Sequence, residues 1–353
     1  MYTIKQTGAY TVGTRIISAE DHTRKEVLGP AAGYRKVSAR LYYPAMTDEE
    51  SKPIVNGENV MGEMYADVQP ISGVAFPLLI YNHGYGSAME SNNLLCCELA
   101  SRGYVVASVG HSYEAEKIIY EDGTSVLYDK TLKEKMVTPF FRGLFAALRL
   151  TKVKADPATM YEMFLEYQDK YAAFMVGRLS EWARDVLVIV EELKNRFADQ
   201  IDFSFRIGAF GHSFGGAAAY YLCQYYDDFA CGVNIDGGLF GHYEGKRMQK
   251  PFYQICCRGN IPVVSKAVLD TDAPVYFAVF EQMKHIGFTD TKFYATSRMM
   301  VGKMPPEIMH ESLRRAHVEF FDKYIKGFDV KISTKSNSYV KYGIENFTNG
   351  RNS

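Results

Sequence analysis

Apolar residues along the chain fall into two alternating rhythms. Short, nearly continuous apolar runs at 35–43, 76–82, 104–109, 206–210, 231–235, 252–255 and 275–280 predict β-strands. Several lack polar alternation, as expected of strands covered on both faces. Between them, the segments 92–102, 179–195, 214–226 and 311–326 place apolar residues at helical spacing. The second is the clearest: Leu179, Trp182, Ala183, Val186, Leu187, Val190 and Leu193 make one stripe. Strand and helix alternating in this way predict an α/β fold, a mostly parallel central sheet with helices on both faces.

One interval is too long for that scheme. Nearly a hundred residues separate the strand ending at Val109 from the one starting at Arg206, where a simple crossover needs a few tens. Two further periodic stripes fill it: Phe140, Phe141, Leu144, Phe145 and Leu148, then Met160, Met163, Phe164, Tyr167, Tyr171 and Phe174. These predict a helical cap over residues 113–177, inserted into a single domain spanning 1–330. An alternative is that the same helices extend the core. The polar stretch 47–59 reads as a surface loop. Residues 331–353 read as a C-terminal tail, loose from Lys335 onward.

Composition narrows the function. Lys plus Arg number 40 and Asp plus Glu 41, so no basic excess exists to gather nucleic-acid phosphates. No stretch approaches the ~20 apolar residues that cross a bilayer. The N-terminus carries no basic start followed by an apolar run, which reads as a cytoplasmic chain, or a secreted one whose leader has been removed. Six cysteines include the adjacent pairs Cys96, Cys97 and Cys256, Cys257, without a CxxC or Cys/His zinc spacing. They read as buried reduced thiols, and no metal or other cofactor is expected.

The informative stretch is RIGAFGHSFGGAAAY, residues 206–220. A strand, a tight G-x-S-x-G turn and an Ala-rich helix are the context of a nucleophile elbow, with Ser213 at its tip. A serine hydroxyl needs a base to take its proton and a carboxylate to fix that base, in the chain order serine, acid, histidine. Of eight histidines, His22, His83, His111 and His212 precede the serine. His317 falls on the apolar stripe of the last helix, His310 opens that helix, and His242 follows the best acid too closely. His285 remains, in a loop just past a strand, at the sheet edge where catalytic groups gather. The same argument selects Asp236, which ends the run CGVNID, over Asp202 and Asp272, which precede strands. Glu281 is the rival, but it stands only four residues from His285. The oxyanion donors are expected to be the backbone amides of Phe214 and of Tyr85, the latter in the glycine-rich loop NHGYGS.

Four motifs in this order, NHGYGS, GHSFGGA, NIDGGLF and KHIGFTD, resemble the platelet-activating-factor acetylhydrolase family of the plasma and isoform II type. The likeness runs from about Gly33 to Gly327 and takes in RLYYPA near the start and the closing helix ESLRRAHVEFFDKYIKG. It implies an α/β-hydrolase fold and metal-independent release of short or oxidised acyl groups from phospholipids. It also implies oxyanion amides at Tyr85 and Phe214. The sequence thus predicts a serine carboxylic-ester hydrolase with Ser213, Asp236 and His285 as its triad and a small ester or lipid as substrate. A polyester, dienelactone or peptide hydrolase with the same triad, an inert hydrolase-fold binding protein, and a peripheral lipid binder using the 140–174 stripes are the alternatives. Oligomeric state is left open.

Overall fold

The computed structural model describes residues 3–30, 33–54 and 61–347. Ten strands form the main sheet: β1 (Thr11–Lys25), β2 (Tyr34–Ala45), β3 (Tyr65–Ala66), β4 (Leu78–Asn82), β5 (Val105–Gly110), β6 (Ile207–His212), β7 (Phe229–Ile235), β8 (Phe252–Cys257), β9 (Val275–Phe280) and β10 (Val340–Tyr342). Their spatial order is β10-β9-β8-β7-β6-β4-β5-β2-β1-β3. From β9 to β5 all neighbours run parallel. β2 turns antiparallel to β5 and pairs with β1 as a long hairpin.

Every residue of β4, β5, β6 and β8 is buried, which is why these strands read as unbroken apolar runs. The helices are α1 (Asn93–Ser101), α2 (Thr131–Leu150), α3 (Pro157–Tyr171), α4 (Ala173–Arg196), α5 (Phe214–Tyr225) and α6 (Pro306–Tyr324). Two apolar layers result. One packs Leu95, Leu99, Leu313, Phe320 and Phe321 of α1 and α6 on one face of the sheet. The other packs Ala183, Val186, Ile189, Leu193 and Leu222 of α4 and α5 on the opposite face.

The chain leaves β4 for β5 on one side and returns to β6 on the other. The sheet's switch point therefore lies between β4 and β6, where open α/β sheets hold their ligands. The loops after both strands open there.

The long β5–β6 interval starts with a small hairpin, Lys117–Ile119 against Ser125–Leu127, and continues as α2 and α3. The next helix begins at Ala173, six residues before the predicted start. Its first turns face the cavity described below rather than the sheet, so their apolar rhythm breaks from the Leu179 stripe. β1 went unpredicted because its buried positions are interleaved with polar ones on an edge hairpin.

The expected loose tail needs correction. Val340–Tyr342 pairs antiparallel with the edge of β9, burying Val340 and Tyr342, and the Glu281 amide donates to the Tyr339 carbonyl at 2.7 Å. A three-residue strand is too short to leave a periodic signal. Residues 348–353 of that tail, and 55–59 of the expected loop, lie outside the described residues; 47–54 carry neither strand nor helix.

Candidate active site

Ser213 sits between β6 and α5 with φ 56° and ψ −126°, a backbone setting that L residues avoid. The sequence forces it there. A Cβ on Gly215 would strike the Asn82 carbonyl, and one on Gly211 would strike the backbone of Gly215. Only glycine two positions before and after the serine lets strand, turn and helix close so tightly. The Ser213 amide donates to the Ile235 carbonyl at 2.9 Å, tying the turn to β7.

Three side chains far apart in sequence meet at this point. Ser213 Oγ lies 2.8 Å from His285 Nε2, and His285 Nδ1 lies 2.8 Å from Asp236 Oδ2. Asp236 is fully buried at the end of β7, with φ 59°. Its turn is held by Asn234, whose side chain accepts from the Gly237 amide and donates to the Gly237 carbonyl. The carboxylate takes further donors from the end of β8: the Cys257 amide at 2.7 Å, the Asn260 side-chain amide at 2.8 Å and the Cys257 thiol at 3.5 Å. A buried carboxylate held by this many donors stays in one orientation. The partially exposed imidazole is aimed from behind as well, because His212 Nε2 donates to the His285 carbonyl at 3.0 Å.

Sequence reasoning missed Asn234, Cys257, Asn260 and the supporting part of His212. The first three lack a motif. The edge argument that found Asp236 also applies to the carboxyl end of β8, and it points to Cys257.

The two residues expected to supply the oxyanion donors, Tyr85 and Phe214, line one cavity together with Ser213. No acceptor among the described residues takes the backbone amide of Tyr85 or of Phe214. The rings of these residues are locked together. Tyr85 stacks on Trp182 at 6.1 Å and 9°, and both meet Phe214 edge-on, at 5.8 Å and 4.7 Å. Glycine 86 (Gly86) donates its amide to the Glu114 carbonyl, and the Ser87 amide closes a turn onto Gly84. His83 fixes the loop start: its Nδ1 reaches the Gly84 carbonyl at 2.7 Å and its Nε2 accepts from the His111 amide at 3.3 Å. Burial pushes the His83 pKa down to about 4, so the ring is neutral, as that pair of bonds requires.

Beneath the loop runs a buried ionic network. Asp185 accepts from Arg24 at 2.7 Å, from Arg35 at 2.6 and 3.1 Å, and pairs with His111 Nδ1 at 2.9 Å. Glu114 binds Arg178 through both oxygens, at 2.9 and 2.7 Å. Burial alone would raise the Asp185 carboxyl, but the Arg35 charge and the bonds from His111 and Arg35 hold it well below the usual range. Burial likewise drives His111 down to about 3 despite its contact with Asp185, whose charge the arginines already engage. His111 stacks on Trp182 at 3.6 Å, so the network carries the same ring that supports Tyr85.

Two cavities flank the Ser213–His285 pair. One of about 380 Å³ is bounded by Tyr85, Tyr167, Tyr171, Phe174, Phe214 and Phe240. The other, of about 820 Å³, opens on the far side of His285. Among the described residues no group of three His, Cys, Asp or Glu side chains is placed to hold a metal ion. All six cysteines are buried and unpaired. Among the described residues, no helix is long and apolar enough to cross a membrane.

Comparison with known proteins agrees with the fold. Residues 58–136, which include the Tyr85 loop, match the family described as platelet-activating factor acetylhydrolase, isoform II. The platelet-activating factor acetylhydrolase of Bos taurus is 25% identical over 373 residues, covering 91% of this chain and 78% of its own. That of Cavia porcellus is 23% identical over 274 residues, covering 73% and 60%. That of Gallus gallus is 26% identical over 177 residues, covering 47% and 40%. Among solved structures, a ferulic acid esterase from Streptomyces cinnamoneus superposes with a TM-score of 0.76 at 19% identity, over 97% of this chain and 99% of that one. The chain has the α/β-hydrolase fold and is similar in sequence to the platelet-activating factor acetylhydrolases.

Proposed function

We propose that this serine carboxylic-ester hydrolase works through an acyl-enzyme on Ser213, with His285 as base, Asp236 as its orienting acid and the Tyr85 and Phe214 amides as oxyanion donors. The observation that carries this reading is the unbroken hydrogen-bonded chain from Ser213 through His285 to a fully buried Asp236. His285 Nε2 takes the Ser213 proton as Oγ attacks the ester carbonyl. The carbonyl oxygen becomes an anion between the two amides, each such donor being worth about 10² to 10³ in turnover. Collapse breaks the bond to the alcohol oxygen, which leaves with the proton from His285. Water, deprotonated by the same imidazole, then attacks the acyl-enzyme, and the acid departs as Ser213 recovers its proton.

The relatives' name, platelet-activating factor acetylhydrolase, favours a short acyl group carried on a phospholipid. A ring-lined cavity of about 380 Å³ beside Ser213 suits a short or bent acyl chain. We read residues 113–177 as a cap, because Tyr167, Tyr171 and Phe174 wall that cavity.

The test is Ser213→Ala, expected to lower kcat on p-nitrophenyl acetate by about 10⁴-fold or more without shifting the unfolding transition. Wild type should also be labelled at Ser213 by a fluorophosphonate. Undiminished turnover in the variant, or no labelling, overturns the assignment.

A further inference from the structure

We infer that the cavity beside His285 is the site of the substrate's alcohol portion and selects an alcohol bearing a negative charge, a carboxylate or a phosphate. The inference rests on the acyl-enzyme reading above and names the substrate class for it.

The assignment of sides follows from the proton. The leaving oxygen must come within hydrogen-bond reach of His285 Nε2, which returns the proton to it. The alcohol therefore departs along the imidazole, into the cavity that His285, Cys257 and Asn260 line. The acyl portion, held with its carbonyl oxygen against Tyr85 and Phe214, is left to the aromatic cavity.

Charge then decides what the first cavity takes. Arg258, Lys284, Arg298 and Lys303 line it, and among the described residues no Asp or Glu does. Arg258 is engaged by Glu281. Lys284, Arg298 and Lys303 are exposed, and the described residues place no carboxylate in salt-bridge range of them. Three uncompensated cations at one rim contrast with a chain whose formal net charge is −1.

The rim is also built rather than incidental. Met283 and Gly302 form an antiparallel bridge that ties the Lys284 segment to the Lys303 segment, with Lys303 opposite Gln282, and the Lys303 amide donates to the Gln282 carbonyl at 2.7 Å. Gly302 has φ 80°, and a Cβ there would strike that same carbonyl, so the two segments approach as closely as they do because it is glycine. The short helical turn Arg298–Val301 feeds into this bridge. It is pinned by the buried Lys292, whose ammonium donates to the Val301 and Gly302 carbonyls at 3.0 and 2.7 Å. Among the described residues the cavity offers no carboxylate to receive a trimethylammonium group. A plain anion is therefore the better fit than a zwitterionic phosphocholine.

The first experiment uses three acetyl esters of one phenol frame: 4-acetoxybenzoate, its methyl ester, and a 4-acetoxyphenyl trimethylammonium salt. Exposed charge contacts are each worth roughly 1.4- to 5-fold, so kcat/KM for the anionic ester should exceed that for the neutral one by about tenfold at low salt. The cationic ester should fall below both. The preference should shrink toward unity in 0.5 M salt and in the Lys284→Gln/Arg298→Gln/Lys303→Gln variant. Equal rates for the three esters, or a preference that ignores salt, overturn the inference.

A second experiment separates it from the acyl-enzyme reading. Binding of 4-hydroxybenzoate, glycerol 3-phosphate and glycerophosphocholine to Ser213→Ala protein is measured by calorimetry. Either anion binding tenfold tighter than glycerophosphocholine supports the inference, and the stronger of the two identifies carboxylate or phosphate. Anions binding no tighter than glycerophosphocholine refute it. Failure of wild type to cleave any acetyl ester counts instead against the acyl-enzyme reading.

Discussion

Lowering the pH from 7.5 to 5 should remove about 8 kcal/mol of stability through four histidines alone. His83, His111, His212 and His317 are buried, and burial is the largest cause depressing each, to about 4, 3, 3 and 4. In the unfolded chain each ring regains its ordinary pKa of about 6.5. A base depressed by folding stabilises the folded state above the unfolded pKa and loses that contribution as pH falls toward the folded one. Between those values the unfolded chain binds a proton that the folded chain refuses. At pH 5 that difference is about 2 kcal/mol per ring, from 1.36 kcal/mol per pH unit. Typical domains have about 5–15 kcal/mol to lose. Asp290 pulls the other way, because burial raises its carboxyl and lets the folded state bind a proton early. A paired comparison removes that opposition. His317 Nδ1 contacts only the Leu313 carbonyl of its own helix, and Nε2 has no hydrogen-bond partner among the described residues. His317→Leu should therefore shift stability at pH 7.5 by a packing amount and then lose about 2 kcal/mol less than wild type on going to pH 5. Urea unfolding at both pH values reads this directly, and in a chain of 353 residues it corresponds to roughly 3 °C in Tm. Parallel losses in the two proteins would mean that His317 charges freely in the fold, and the reasoning would fail.

Two further outcomes follow from the same contacts. Asp185→Asn removes the counter-charge that Arg24 and Arg35 share while Arg24 keeps Asp21 and Glu181 and Arg35 keeps Glu26, and it should cost about 1.5–3 kcal/mol in urea unfolding at pH 7; a loss under 1 kcal/mol would show that solvent reaches the network. Asn260→Leu removes a charge-assisted donor from Asp236 and should lower kcat on a neutral acetyl ester about 10- to 100-fold, with KM within about twofold. A change in KM alone would place Asn260 on the substrate rather than on the triad acid.

The strands most legible in the sequence were those whose residues are all buried. In β4, β5, β6 and β8 a continuous apolar run and a doubly covered strand are the same fact seen twice. Legibility fell off where burial alternates or the element is short. β1 hides its pattern among charged residues, and Val340–Tyr342 gains its order from the exposed edge of β9 and not from its own composition. The start of α4 was illegible for a related reason: residues before Leu179 pack against two different surroundings, so no single period describes them.

The site divides along the same line. Ser213, Asp236 and His285 could be read because each follows a strand at the carboxyl edge of the sheet, the first two directly and His285 in the loop after Phe280, and that edge is fixed by chain order. The network behind them could not. Arg24, Arg35, His111, Glu114, Arg178 and Asp185 come from four separate stretches, and a charged residue on a helix reads as solvated until something is packed over it. Trp182 shows how the two halves join. In the sequence it is one apolar position of a helical stripe. In the fold its ring stacks with both His111 and Tyr85, so the ionic cluster and the glycine-rich loop of Tyr85 share a single support. Such a support would hold the Tyr85 amide in place with no acceptor among the described residues, which suits the oxyanion role proposed for it, since a donor must stand ready for a charge that exists only during reaction.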